Sequence, residues 1–145
     1  MLCICSRPFQ ICKSMEKYFR WMPFATYTAV LTYLLLIPSD RLPSLLAETS
    51  DKILHFLAFA LLMLLYLAGL SNFFIRRKVH MPYLVAGFAG LSLFSGLLEI
   101  FQYFIPGRSG SLADFGFNNL GLLAGGFFAR MVNCLVSSCT PSASD

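Results

Sequence analysis

The sequence predicts an all-α integral membrane bundle of four transmembrane helices, N-in/C-in, and three observations predict it. The chain is 57% hydrophobic and only 12% charged, with a mean hydropathy of +0.70, whereas a soluble domain is about one quarter charged. Its apolar residues gather into four stretches near the ~20 residues that a helix needs to cross a hydrocarbon core of about 30 Å. Its lysines and arginines collect at alternate ends of those stretches. At 145 residues the length suits one compact domain.

Residues 1–21 form a cytoplasmic N-terminal segment with Arg7, Lys13, Lys17 and Arg20. No A-x-A cleavage site follows the next apolar run, so an uncleaved anchor is expected rather than a signal peptide. Met15 is an alternative start, in which case the first 14 residues are dispensable. The first span is 22–38, ended by Pro38 and flanked by the aromatic belt residues Tyr18, Phe19 and Trp21. The second is 53–75. The third is 82–105, opened by Pro82 in a position that suits a first helical turn. The fourth is 112–136. All four are expected to be helices, because backbone groups in lipid must be satisfied internally. In loop 39–50 the stretch "LPSLLAE" fits a short interfacial helix. Residues 137–145 read as a disordered cytoplasmic tail.

The loop 71–81 carries Arg76, Arg77 and Lys78, and Arg130 lies near the end of the last span. The opposite side has Arg41, Lys52 and Arg108. Both termini and the 71–81 loop are therefore expected inside the cell. The five cysteines, Cys3, Cys5, Cys12, Cys134 and Cys139, then fall at cytoplasmic ends as reduced thiols. Their spacing, with no nearby histidine, is a poor zinc signature.

In that topology the polar residues share one membrane depth. Asp51, Lys52 and His55 open the second span. Glu99 and Gln102 close the third, Arg108 sits in the connection, and Asp114 and Asn118 open the fourth. Asp51 and His55 share a helix face, as do Glu99 and Gln102, and Asp114, Asn118, Gly121 and Gly125 form one stripe. Gly121-x-x-x-Gly125, Ala86-x-x-x-Gly90 and Ser92-x-x-x-Gly96 are small-residue strips that let membrane helices approach closely.

Several of these residues have a bland role available. Asp51 suits a helix cap, and Ser111-Leu-Ala-Asp114 matches a capping box. Lys52 and Arg108 suit snorkelling to headgroups. His55 suits a packed, hydrogen-bonded position, and Gln102 and Asn118 suit interhelical contacts. Glu99 has no such local role. It lies about 9 Å inside its span at ~1.5 Å per residue, where a charge costs a few kcal/mol. It should face the bundle and meet a cation, with Lys52, His55 and Arg108 as the available partners.

"DKILHFLAFALL" at 51–62 together with "EIFQYFIPGRSGSLADFGFNNLGLLAGG" at 99–126 resembles the VanZ-like family. Asp51, Lys52, His55 and Phe56 match its D-K-x-x-H-F motif. Glu99, Gln102, Pro106, Gly107, Arg108, Asp114, Asn118, Gly121 and Gly125 match its E-x-x-Q, P-G-R and D-x-x-x-N-x-x-G-x-x-x-G pattern. The motifs span roughly half the chain and leave residues 1–50 and 71–81 outside them. The resemblance implies a small multi-span membrane protein, with residues 22–136 as the family domain. The founding member is associated with low-level resistance to the glycopeptide teicoplanin, and the family name supplies no biochemical activity.

Two functions from different classes fit the pattern. One is an enzyme acting at the outer leaflet on a lipid or lipid-linked anionic substrate. Lys52 and Arg108 would bind the anionic group. His55 and Glu99 would transfer protons, Asp51 or Asp114 would orient His55, and Gln102 and Asn118 would position substrate or water. No cofactor is fixed by the sequence, and Mg²⁺ on the carboxylates is one option for such chemistry. The other is a non-catalytic protein that binds a headgroup or antibiotic, or docks a cell-envelope partner. A proton-coupled transporter is disfavoured, because the acids gather at one end of the spans. Nucleic acid is not an expected partner, because the basic residues are juxtamembrane.

Overall fold

The computed structural model describes residues 7–38, 51–70, 81–106 and 110–139, with side chains over 18–38, 52–70, 81–106 and 110–135. These residues form four α-helices: α1 (Arg7–Leu36), α2 (Asp51–Leu70), α3 (Met81–Tyr103) and α4 (Leu112–Cys139). Residues 1–6, 39–50, 71–80, 107–109 and 140–145 lie outside the described residues, and with them the expected interfacial helix in 39–50 and the last five residues of the second span.

Two boundaries differ from expectation. Helix α1 begins at Arg7 rather than at residue 22 and passes through Pro23. Hydropathy marks where a helix meets lipid, not where it begins, and Lys13, Lys17 and Arg20 keep the first turns off the apolar count while favouring helix. Helix α4 runs on to Cys139, three residues into the segment read as tail. Pro38 does follow the end of α1, in line with the bias of a pre-proline residue away from helical backbone.

Lys52–Leu70 has a mean hydropathy of 2.4 and Met81–Tyr103 one of 1.9, and both are long enough to cross a bilayer. The buried positions of α3 are Gly87, Leu91, Ser95, Leu98 and Gln102, a single stripe at helical spacing. The opposite face exposes Val85, Leu93, Leu97 and Ile100. A soluble helix reverses this, setting charge on its outer face. Here the outer face is as greasy as the core, which suits hydrocarbon as the surrounding solvent.

Successive helices alternate in direction. Tyr27 donates to the Ala58 carbonyl at 3.2 Å, joining α1 to α2. Arg130, near the end of α4, reaches Met81 at the start of α3. Helices α2 and α4 run parallel and share the most extensive contact in the bundle. Its cause is Gly121 and Gly125. A Cβ at Gly121 would collide with the Phe56 carbonyl, and one at Gly125 with the Ala60 carbonyl, so only glycine lets the two backbones touch. On α3 the tight glycine is Gly87, against the Tyr66 ring, while Gly90 has open space around it. The expected Ala86–Gly90 strip is thus turned away from the bundle, because the packing stripe runs through 87 and 91.

The core has two halves. Phe59, Leu62, Met63 and Leu67 of α2 interlock with Leu91, Leu98, Leu122, Ala129 and Leu31. Trp21, Phe24 and Tyr66 close its far end in edge-to-face contacts 5.7–6.0 Å apart. At the other end the same stripes turn polar: His55, Ser95, Gln102, Asp114 and Asn118 are all buried.

Candidate functional site

The polar half is assembled from the start of α2, the end of α3 and the start of α4. Asn118, wholly buried on α4, is its hub. Its Nδ2 donates to Ser95 Oγ at 2.8 Å and to Glu99 Oε1 at 3.1 Å. Its Oδ1 lies 2.9 Å from His55 Nδ1. With Glu99 ionised, and therefore only an acceptor, the amide nitrogen faces Glu99 and the amide oxygen faces His55. His55 Nδ1 therefore carries a proton. The same nitrogen is 4.0 Å from Glu99 Oε1, which makes His55 the described cationic partner of Glu99 once its ring is protonated.

The second oxygen of Glu99 accepts from the Ser111 backbone N–H at 3.2 Å. That bond exists because the chain folds straight back over the last turn of α3. Gly110 lies so close to the Glu99 carbonyl that a Cβ there would collide with it. Ser111 is the N-cap of α4. Its carbonyl accepts from Phe115 N–H at 3.1 Å, and its hydroxyl accepts from Ala113 N–H at 3.1 Å. In a capping box the third residue of the helix takes the cap's own N–H. Here Glu99 of another helix takes it, so the S-x-x-D pattern does not account for Asp114. Asp114 is buried, one turn before Asn118, near enough to Glu99 for their charges to interact.

Gln102 Nε2 donates to the Leu35 carbonyl of α1 at 2.9 Å. Leu35 belongs to the last turn of α1, where carbonyls lack intrahelical partners, so Gln102 closes that helix end and ties it to α3. Among the described residues every buried side-chain N and O has a partner.

Beside this network a groove of about 480 Å³ opens between the end of α3 and the start of α4. Glu99, Ser111, Gly96 and Gly110 lie in it, with Ile100, Tyr103, Phe104, Leu112 and Phe115 around them. Phe104 is 75% exposed and Leu112 91%, so its rim faces outward from the bundle.

A His–Asn–Glu cluster on three helices, with His55 and Asn118 buried and Glu99 at the groove, joins the two motif blocks at 51–62 and 99–126. The family model described as VanZ/LLP1 matches residues 2–133. The chain belongs to the VanZ/LLP1 family. Comparison with curated proteins and with solved structures finds no match. With two helices apolar enough to span a bilayer, family membership points to a membrane protein. The match is wider than the motif blocks. It takes in α1, the 71–81 segment and the residues ahead of Met15, which the motifs alone left out.

Of the VanZ-like motif residues, His55, Glu99 and Asn118 meet directly, with Asp114 beside them. Lys52 is exposed on the first turn of α2. Asp51 begins α2, and its side chain lies outside the described residues, as does Arg108 altogether. Sequence reasoning did not single out Ser95, the Ser111 backbone N–H or Gly110. Ser95 had a signal, four residues before Glu99 and so on its face. A backbone donor has none. Among the described residues no three His, Cys, Asp or Glu side chains converge to hold a metal ion.

Proposed function

We propose that this VanZ-family chain crosses the cell membrane four times with both termini inside, and that the His55–Asn118–Glu99 cluster is an outward-facing site for acid/base chemistry on a lipid or lipid-linked substrate. Helices α1 and α4 have 30 and 28 residues, about 45 and 42 Å at ~1.5 Å per residue, long enough to span alongside α2 and α3. The basic residues at 1–20 and 76–78 supply the orientation.

The observation that carries the reading is the 4.0 Å approach of His55 to Glu99 beside a largely apolar groove on the outside of the bundle. An imidazole and a carboxylate held by a shared amide can give and take protons on either side of a reacting bond. Asn118 fixes the ring, Glu99 meets the groove, and Asp51 and Asp114 are the further acids at that depth. Lys52 and Arg108 are the cations for an anionic group of the substrate.

Lipid mass spectrometry of a deletion strain, complemented with wild type or with Glu99→Gln, tests this. A lipid that accumulates in the deletion and in Glu99→Gln, and clears with wild type, supports it. An unchanged lipidome removes the enzymatic reading.

The completeness of the hydrogen bonding favours a second reading, a non-catalytic protein that binds a headgroup or antibiotic or docks a cell-envelope partner. Teicoplanin susceptibility and teicoplanin binding, measured on Glu99→Gln and His55→Asn, separate the two. Binding and phenotype falling together supports the binding protein. Binding that survives a lost phenotype supports catalysis.

A further inference from the structure

The groove between α3 and α4 has a chemical preference that can be read from its donors and acceptors. Among its described lining residues Glu99 carries the only charged group. Each Glu99 oxygen already accepts one protein hydrogen bond, Oε1 from Asn118 and Oε2 from the Ser111 N–H. A carboxylate oxygen has two lone pairs, so each retains capacity for one more bond, and that bond must come from a donor. Ser111 Oγ, which accepts from Ala113 N–H, adds a hydroxyl at the same place.

Apart from the Tyr103 phenol, the rest of the groove is hydrocarbon and ring: Ile100, Phe104, Leu112 and Phe115, with the Tyr103 ring beside them. Gly96 holds space open, since a Cβ there would meet only Phe115 at an ordinary 3.5 Å. At about 480 Å³ the volume falls within the usual ~300–1,000 Å³ for small-molecule sites. A ligand that fits must have an apolar tail and a polar end that donates hydrogen bonds. A phosphate or carboxylate placed against Glu99 would meet like charge and an acceptor with nothing to accept from. A hydroxyl satisfies the free lone pairs without bringing a second charge into a poorly hydrated site.

We infer that this groove takes a neutral, hydroxyl-headed membrane lipid from the side, with the hydroxyl on Glu99 and the tail along Ile100, Phe104 and Leu112. The inference rests on the acid/base reading of the site and names the group presented to it. Within a larger lipid-linked substrate, any anionic part then lies away from Glu99.

The test uses the full chain purified in a nonionic detergent, with native mass spectrometry as the readout. Two probes differ by one phosphate: 1-monooleoylglycerol and 1-oleoyl lysophosphatidate. Monooleoylglycerol is expected to bind saturably at one per chain, and lysophosphatidate at least about tenfold more weakly. Glu99→Gln sets an amide N–H against Asn118 Nδ2 or Ser111 N–H, both donors, and so risks misfolding. Gly96→Leu is the second variant. It fills the groove without touching the hydrogen bonds, and is expected to melt like wild type and lose monooleoylglycerol binding at least about tenfold. Equal binding of the two probes, or undiminished binding to Gly96→Leu, overturns the inference. A lipidome that responds to Glu99→Gln while monooleoylglycerol fails to bind overturns the inference and keeps the acid/base function. Groove binding with an unchanged lipidome does the reverse.

Discussion

Asn118 Nδ2 lies 3.1 Å from Glu99 Oε1, and the other end of the same amide faces His55 Nδ1 at 2.9 Å. The distances matter less than the direction they impose. Glu99 as an acceptor orients the amide, and the amide orients the imidazole, so the proton sits on Nδ1. Asn118 is thus a positioning residue, which passes the polarity of one ionisable group to another.

Nitrogen-15 NMR of the histidine-labelled protein at alkaline pH should show neutral His55 as the Nδ1–H tautomer. Asn118→Ala should release that preference. It also removes three hydrogen bonds from a buried site, for an expected loss of about 1–3 kcal/mol in detergent unfolding. Ser95→Ala removes one acceptor and should lose about 1 kcal/mol or less. Equal losses from the two substitutions would mean that Asn118 is not the hub.

The α2–α4 seam gives a second prediction through contrast between glycines. Gly121→Ala pushes a Cβ into the Phe56 carbonyl. Backbone cannot step aside as a side chain can, so a loss of about 1–3 kcal/mol is expected. Gly90→Ala meets nothing within 4 Å and should be neutral or stabilising by up to about 1 kcal/mol, since alanine favours helix. Thermal unfolding of both in one detergent checks the ordering. Gly121→Ala should also displace α4, and with it Asn118, so its His55 tautomer signal should broaden or shift.

How much of this was legible depended on the kind of signal. His55, Glu99 and Asn118 announced themselves because ionisable and amide groups in apolar helices are expensive and share one depth. Gly121 and Gly125 stood out because their spacing continued the Asn118 stripe. Ser95 was passed over although it shares the Glu99 face four residues earlier, since one hydroxyl in a greasy helix carries little information by itself. The Ser111 N–H was invisible, because every residue but proline has that donor, and only the return of the chain over Gly110 aims it at Glu99. The Ala86–Gly90 strip failed because small-residue spacing does not say which face of a helix turns inward. The turns of α1 ahead of residue 22 were not legible, because charge conceals a helix from a hydropathy reading.

Gln102 yields a prediction that separates packing from chemistry. Its bond to the Leu35 carbonyl crosses from α3 to α1. Gln102→Leu keeps the volume and removes the donor, leaving a helix-end carbonyl unpaired, so stability should fall by about 1 kcal/mol. Hydrogen exchange should show the last turn of α1 opening more often, with the centre of α2 unchanged. If a Gln102→Leu strain keeps the wild-type lipid profile, the residue serves α1. If the profile changes while exchange at α1 does not, Gln102 acts on substrate instead.

The proposed orientation makes the sharpest demand, because one reagent tests both faces. Cys134 carries an exposed thiol near the end of α4, on the side that the basic residues assign to the cytoplasm. Ser109 lies in the α3–α4 connection, assigned to the outside. In a background where the other cysteines are replaced by serine, a membrane-impermeant maleimide should label Ser109→Cys in intact cells. Cys134 should label only after permeabilisation. The reverse pattern would turn the bundle over and bring the His55–Glu99 end into the cytoplasm. Labelling of both in intact cells would remove the fourth crossing. The four-span reading stands on the separation of these two sites, since α4 alone connects them and at about 42 Å (28 residues at ~1.5 Å each) is long enough to reach from one face to the other.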